Sequence, residues 1–126
     1  MPHTNDKPKS AQMIVFDFTT DVATGDGKFY FDVPSNVNNL VLSSARGRVV
    51  TAGTTGSTDI QIHNVTGAVD MLSGKIQIAS GSTSASGTID LANNSVATND
   101  LLRVDVDAVS TTAPKGLIVT IQFDEV

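Results

Sequence analysis

The sequence contains no cysteine and no tryptophan, and it has one tyrosine, Tyr30, among 126 residues. The absence of cysteine excludes disulfide bonds, thiolate metal sites and cysteine nucleophiles, so stability has to come from an apolar core and from any neighbouring subunits. Aromatic residues make up 5 % of the chain. Glycoside-hydrolysing sites need a cleft with paired carboxylates and an aromatic platform for the sugar, so this composition argues against carbohydrate chemistry.

Charged residues are also scarce, at 17 % of the chain, and acidic residues outnumber basic ones to give a net charge of −5. Binding to a phosphate backbone or to an anionic membrane surface depends on clustered cations, and no cluster lies beyond the first ten residues. We therefore predict neither a nucleic-acid partner nor a membrane partner. A surface covered mainly by Ser, Thr, Asn and Gly suits contact with other proteins.

No apolar run approaches the length of a membrane-spanning helix, and the first residues, MPHTNDKPKS, lack the apolar core of a signal peptide. We expect synthesis in the cytoplasm without export by the general pathway. The prolines and lysines of this stretch predict an extended N-terminal arm over residues 1–12, followed by one domain over residues 13–126. The arm is either a floppy terminus or a segment that becomes ordered along a neighbouring molecule.

Short runs of alternating apolar and polar residues dominate the rest of the chain, separated by clusters of Gly, Ser, Thr, Asn and Asp. The clearest unit, Gly47–Val65, predicts a β-hairpin with its turn at Gly53–Ser57. Met13–Thr19 and Lys28–Val33 contain four of the five phenylalanines. These two strands predict a second hairpin that forms one wall of the core.

The other strands follow from the same alternation, which is most regular in Leu101–Val109 and Gly116–Phe123. Leu40–Thr51 changes phase, which indicates a β-bulge or a strand that passes between sheets. Ser80–Thr88 is expected to form a loop or an exposed edge. About eight strands with frequent turn signals predict an all-β fold, an antiparallel two-sheet β-sandwich of jelly-roll type, with an immunoglobulin-like sandwich as the alternative.

Few residues offer catalytic chemistry. Histidine occurs at His3 in the arm and at His63 on the polar face of a strand, and no Gly-x-Ser-x-Gly elbow presents a serine nucleophile. We therefore predict a protein that is not an enzyme and has no cofactor. Asp105 and Asp107 share one strand face and are candidates for a calcium site, but Arg103 on that face favours an ion pair instead.

The scarce cations are candidates for contact with an acidic neighbour, because Arg46 and Arg48 project from one strand face. A role in surface solubility is the alternative. The candidate protein-interface residues are Lys7, Lys9, Arg46, Arg48, His63 and Arg103. Asn64-Val65-Thr66 also matches the N-glycosylation acceptor pattern, which three residues often match by chance.

Over residues 13–126 the chain resembles the small Gly/Ser/Thr-rich β-sandwich proteins encoded among the structural genes of tailed bacteriophages. The resemblance rests on the runs RVVTAGTTGSTDIQIHNVTGAVDMLSGKIQI, DLANNSVATNDLLRVDVDAV and APKGLIVTIQF. It implies a non-enzymatic virion structural protein, usually oligomeric and often a homotrimer, and in cement proteins of this kind an N-terminal arm commonly reaches over the shell.

The function that this resemblance implies is capsid decoration. A decoration or cement protein binds the head surface, through the major capsid protein or another virion protein, and stabilises it. The alternative is a tail-fibre or tail-tip module that adheres to a host surface polysaccharide. Either would be made in the host cytoplasm and located in the virion, with the head surface favoured over the tail.

Overall fold

A computed structural model describes residues 8–126 as an all-β fold with a short 3-10 turn at Ser35–Val37. Its eleven strands are β1 (Lys9–Asp21), β2 (Gly25–Asp32), β3 (Val41–Arg48), β4 (Ser57–Asn64), β5 (Val69–Asp70), β6 (Leu72–Gly74), β7 (Ile76–Ala79), β8 (Ser84–Ser86), β9 (Thr88–Ile89), β10 (Leu101–Ala108) and β11 (Lys115–Asp124). The predicted all-β class is confirmed, whereas the strand count exceeds the predicted eight. No helix among the described residues is long and apolar enough to cross a membrane.

The strands form two main antiparallel sheets. Sheet A has the strand order β1-β11-β3-β8, and sheet B has the order β2-β10-β4-β5, with β7 also paired to β4. The short strands β6 and β9 form a separate two-stranded ladder. This arrangement agrees with the predicted antiparallel β-sandwich, in which side chains of two sheets enclose one core.

The predicted hairpin at Gly47–Val65 is wrong, because β3 belongs to sheet A and β4 belongs to sheet B. The connecting segment crosses between the sheets and pairs with the crossing from β10 to β11, through bridges from Thr51 to Lys115 and from Thr54 to Thr112. Each crossing thus satisfies backbone groups of the other. The predicted hairpin of the two phenylalanine-rich strands is wrong for the same reason, since β1 and β2 lie in different sheets.

The first strand begins at Lys9 rather than at the predicted Met13, because its first residues pair with β11 in continuous register. The first seven residues of the predicted arm lie outside the described part of the chain. Met13 is buried opposite Val119, which turns Ile14 and Phe18 to the outer face of sheet A. The prediction that these two side chains form a wall of the core is therefore wrong.

The strong alternation of the later strands is confirmed by their burial. The inward positions of β4, β10 and β11 are occupied by Ile60, Ile62, Leu102, Val104, Val106, Leu117, Val119, Ile121 and Phe123, all buried. Phe31 of sheet B stacks on Phe123 of sheet A with ring centroids 6.0 Å apart. This stacked pair joins the two sheets across the core.

The phase change predicted in Leu40–Thr51 is a β-bulge in β3. Gln122 is opposite Ser44, and its neighbour Phe123 is opposite Leu42, so Ser43 is the extra residue. The bulge lets both Leu42 and Ala45 face the core although their spacing is odd. The predicted edge at Ser80–Thr88 is also confirmed, because β8 is the outer strand of sheet A beside β3.

Candidate functional site

The predicted interface residues divide between two opposite surfaces. Arg46 and Arg48 are exposed on the outer face of sheet A, and His63 and Arg103 lie on the outer face of sheet B. Lys9 is at the start of β1, opposite Phe123. Lys7 lies outside the described residues. The structure therefore brings the candidates together in pairs and does not form one common site from them.

The outer face of sheet A is built from three rows of side chains that run across β1, β11 and β3. The strand register gives the rows as Ser10, Gln122 and Ser44; Gln12, Thr120 and Arg46; and Ile14, Ile118 and Arg48. The first two rows line a shallow polar groove of about 350 Å³. Hydroxyl and amide groups thus cover this face, and Asp17 and Asp124 are the carboxylates at its two ends.

An apolar groove of about 220 Å³ adjoins the third row. It is lined by Ile14, Phe16, Asp17, Phe18, Val50 and Ile118. Ile14, Phe18 and Val50 leave 62 %, 69 % and 50 % of their surface exposed, a concentration of apolar surface that commonly marks a contact site. Gly116, at φ 72°, lies between the backbone of Phe18 and the side chain of Val50, where a Cβ atom would meet Phe18 Cα at 2.9 Å.

Strand alternation by itself places Ile14 and Phe18 in the core, so it does not reveal this groove. Its signal in the sequence is the adjacent apolar run Met13–Phe16, in which one strand face alone cannot hold every side chain. Only the pairing of β1 with β11 determines which side chains of this run are buried.

The outer face of sheet B carries a charged row instead. Tyr30, Arg103, His63 and Asp70 are neighbours across β2, β10, β4 and β5. His63 Nδ1 lies 2.8 Å from Asp70 Oδ1 at the exposed edge of this row. The outward positions of the sheet hold six aspartates: Asp26, Asp32, Asp59, Asp70, Asp105 and Asp107. They hold three lysines or arginines, Lys28, Lys75 and Arg103, so this face is acidic.

Arg103 and Asp105 form the predicted ion pair, with two nearly parallel hydrogen bonds. Arg103 Nε donates to Asp105 Oδ1 at 2.7 Å and Nη2 donates to Oδ2 at 3.0 Å, while the Gly27 N–H donates to Oδ1 at 2.9 Å. The hydrogen bond to Asp105 is the largest cause that raises the pKa of Arg103, and the charges of Asp105 and Asp26 add to it. Asp105 is only 4 % exposed, so its carboxylate is buried although it lies on the outward side of β10.

Asp107 is engaged separately, with Lys75 Nζ 3.0 Å from its Oδ2. The hydrogen bond to Asp107 is the main cause of a raised pKa of Lys75. Because that pKa is raised, the contribution of the lysine to stability is fully present below about 10.4, the pKa of an unfolded lysine, and is lost as the pH rises further. The two calcium candidates, Asp105 and Asp107, thus bind different cations of the chain, and no cluster suited to a metal ion occurs in residues 8–126.

The N-glycosylation pattern lies in a folded turn. Asn64 is buried; its Nδ2 donates to Asp100 Oδ2 and its Oδ1 accepts from the Gly67 N–H. Thr66 Oγ1 accepts a hydrogen bond from the Leu101 N–H. Asn64 and Thr66 therefore hold the loop between β4 and β5 against the start of β10, and the amide nitrogen that would carry a sugar is already bonded within the fold.

The two outer faces differ in the contacts that they offer. Sheet A presents uncharged polar groups, two arginines and an apolar groove, whereas sheet B presents an acidic row with an exposed tyrosine. Both arrangements suit binding by surface contact. No protein-family model, no curated protein sequence and no solved structure gives a significant match to this chain.

Proposed function

We propose that this protein is a virion structural protein of a tailed bacteriophage that decorates the capsid as a homo-oligomer, with a trimer favoured. The observation that carries the proposal is the outer face of sheet A. Between Asp17 and Asp124 that face holds hydroxyl and amide side chains, two arginines and an exposed apolar groove. Such a surface can be buried against other proteins at little cost in desolvated charge.

The strand order supports a jelly roll as the finer description of the sandwich. The long strands β1, β2, β3 and β4 alternate between the two sheets, as do β10 and β11. The first and last strands are neighbours in sheet A, as is expected of a chain folded as two Greek keys. If the interrupted edge β5 and β7 is counted as one strand and the short ladder is set aside, eight strands remain, as a jelly roll requires.

The proposed mechanism is physical and not catalytic. A protein that buries apolar and hydroxyl-rich surface across the boundary between capsid subunits must be removed before those subunits separate. Its binding free energy therefore adds to the stability of the shell against internal pressure. The major capsid protein, or another protein of the head surface, is the proposed partner.

Mixing the purified protein with undecorated heads and imaging the particles tests this function. Stoichiometric density at symmetry axes of the lattice is the expected result. Phe18→Asp is the matched variant, because Phe18 is exposed in the groove, and Leu91→Asp is its control, because Leu91 is exposed in a loop away from the groove. Wild-type protein that leaves the heads bare at saturating concentration would exclude decoration.

A tail-fibre or tail-tip module remains the second candidate, and one observation favours it. Tyr30 is 52 % exposed beside Arg103 on the acidic face of sheet B, which places an aromatic ring among hydrogen-bonding groups. Binding to the surface polysaccharide of a host strain, lost in Tyr30→Ala and kept in Leu91→Asp, would support this candidate. Head binding without polysaccharide binding would exclude it.

A further inference from the structure

We propose that a second copy of this chain occupies the apolar groove and Arg48 at one end of the sheet A face, and that it docks through the outer face of its own sheet B. The polar groove at the other end of the sheet A face is left for the head surface. The contact is head-to-tail, with Tyr30 of one copy in the apolar groove of the other and Asp32 beside Arg48. This inference rests on the proposed homo-oligomer and names its contact surfaces.

Two copies can pair through two sheet A faces, through two sheet B faces or through one face of each kind, and charge favours the last of these. Each copy carries a net charge of −5, so two copies repel each other at long range. Two sheet A faces would bring together four arginines, and two sheet B faces would bring together their aspartates. A sheet A face against a sheet B face places Arg46 and Arg48 against the face with the larger number of carboxylates, and opposite charges across an interface favour its formation.

The apolar groove needs an apolar or aromatic side chain to fill it. On the outer face of sheet B, Tyr30 is the large side chain that the described residues leave exposed in mid-strand. Tyrosine is enriched at the centres of protein interfaces because its ring buries apolar area while its hydroxyl keeps a polar contact. Tyr30 therefore matches the groove in both size and chemistry.

The spacing of Tyr30 and Asp32 on one copy agrees with that of the groove and Arg48 on the other. Tyr30 and Asp32 are two residues apart on β2, which separates them by about 7 Å along the strand. Ile118 at the groove and Arg48 are partners on adjacent strands, about 5 Å apart. A tyrosine ring in the groove thus brings the carboxylate of Asp32 within reach of Arg48.

The contact also lies beside the exposed strand edges of the sandwich. β1 is the outer strand of sheet A and β2 is the outer strand of sheet B, and no strand within residues 8–126 pairs with their free sides. The groove lies partly on β1 and Tyr30 lies on β2, so the docked faces are adjacent to both edges and a neighbouring copy hinders the approach of other strands. Because the two surfaces differ, repeated docking produces a closed ring or an open filament.

Sedimentation velocity over a range of protein concentrations tests the proposal. Phe18→Asp, Tyr30→Ala, Arg48→Glu and Asp32→Arg should each raise the dissociation constant of self-association at least about tenfold. Leu91→Asp should leave it unchanged. Far-ultraviolet circular dichroism should show the same folded spectrum for every variant, since each substituted side chain is exposed.

A charge exchange within one chain gives the decisive result. The double variant Arg48→Glu with Asp32→Arg restores opposite charges in a head-to-tail contact and should recover the wild-type dissociation constant. Failure of this recovery would overturn the pairing. A monomeric wild type at micromolar concentration would overturn it too, as would self-association that depends on Phe18 but not on Tyr30 or Asp32.

The head-binding experiment separates this inference from the function on which it rests. Head-to-tail oligomers that show the expected variant pattern but leave heads bare would support the inference and exclude decoration. Heads decorated at wild-type occupancy by a Tyr30→Ala variant that still self-associates like the wild type would support decoration and overturn the inference.

Discussion

The carboxylate of Asp105 shows how a residue on the outer face of a sheet becomes part of the folded interior. It accepts two hydrogen bonds from Arg103 and one from the Gly27 N–H at the start of β2. Together these contacts attach the start of β2 to the middle of β10. The contribution of Asp105 is therefore to stability, whereas Asp26, Tyr30 and Asp32 of β2 remain exposed.

Asp105→Ala should lower the free energy of unfolding by about 2 to 3 kcal/mol, because it leaves a half-buried guanidinium and an N–H group without their acceptor. Asp107→Ala is the matched control on the same strand. Its partner Lys75 is exposed, so the loss should stay below about 1 kcal/mol. Urea denaturation followed by circular dichroism measures both, and equal losses would contradict the assignment.

Gln61 performs a similar role at the break between β5 and β7. Its side-chain oxygen accepts from the Ile62 and Leu72 N–H groups, and its Nε2 donates to the Leu72 carbonyl. The side-chain amide thus supplies hydrogen bonds in place of backbone pairing at the point where the edge strand separates from β4, between β5 and β7.

Gln61→Leu should cost about 2 to 3 kcal/mol in the free energy of unfolding, since buried backbone groups of residues 62 and 72 lose their partners. Gln77→Leu, at an exposed position on β7, should change it by less than about 0.5 kcal/mol. The same denaturation experiment compares the two. A larger effect at Gln77 would show that Gln61 does not support the break.

At the scale of whole elements, the packing of β3 depends on Gly47. A Cβ atom at this position would lie 3.0 Å from Ile76 Cγ2 and 3.3 Å from Ile60 Cδ1, both in sheet B. The absence of a side chain lets β3 approach the opposite sheet closely. Gly47 is accordingly a determinant of the distance between the sheets.

Gly47→Val should lower the free energy of unfolding by about 2 to 3 kcal/mol through overpacking of the core. Ser86→Val on the neighbouring strand β8 is the control, because Ser86 is exposed opposite Arg46. Its effect should lie within about 0.5 kcal/mol of wild type. Thermal unfolding of both variants provides a second measurement, and a neutral Gly47→Val would show that the sheets can move apart freely.

At the scale of the whole molecule, the N-terminal segment and the sandwich are predicted to act separately. Because β1 pairs with β11 from Lys9 onward, deletion of Met1–Pro8 keeps every residue of the ladder. The truncated protein should unfold at the wild-type temperature and bind heads at least about tenfold more weakly, as expected of an arm that gains order on a neighbour. Undiminished head binding would assign the arm no role in decoration.

At the scale of single residues, the sequence predicts correctly those features that depend on neighbours along one strand. The alternation of β10 and β11, the phase change in β3, the edge at β8 and the pairing of Arg103 with Asp105 all followed from spacing along one strand. Each depends on side chains a few residues apart, whose relative position is fixed by strand geometry.

The pairing of one strand with another does not follow from the spacing of residues along a single strand. Alternation tells which residues share a face, but it does not tell which strand lies beside which, so two sheet-crossing connections were interpreted as hairpins. In the same way, alternation predicts one face for Ile14, Phe16 and Phe18, whereas a register shift after Ile14 places Phe16 opposite buried Leu117 and leaves Ile14 and Phe18 exposed.

The sequence alone determined an all-β chain without cysteine chemistry, with few charges and with regular strands, because composition and period are properties of the chain itself. Tertiary structure decided that Met13 is buried, that Ile14 and Phe18 border an exposed groove, and that the arginines and the acidic row lie on opposite faces. The physical reason is that pairing between strands distant in the sequence determines which face of each strand is buried. The candidate contact surfaces are created by that choice.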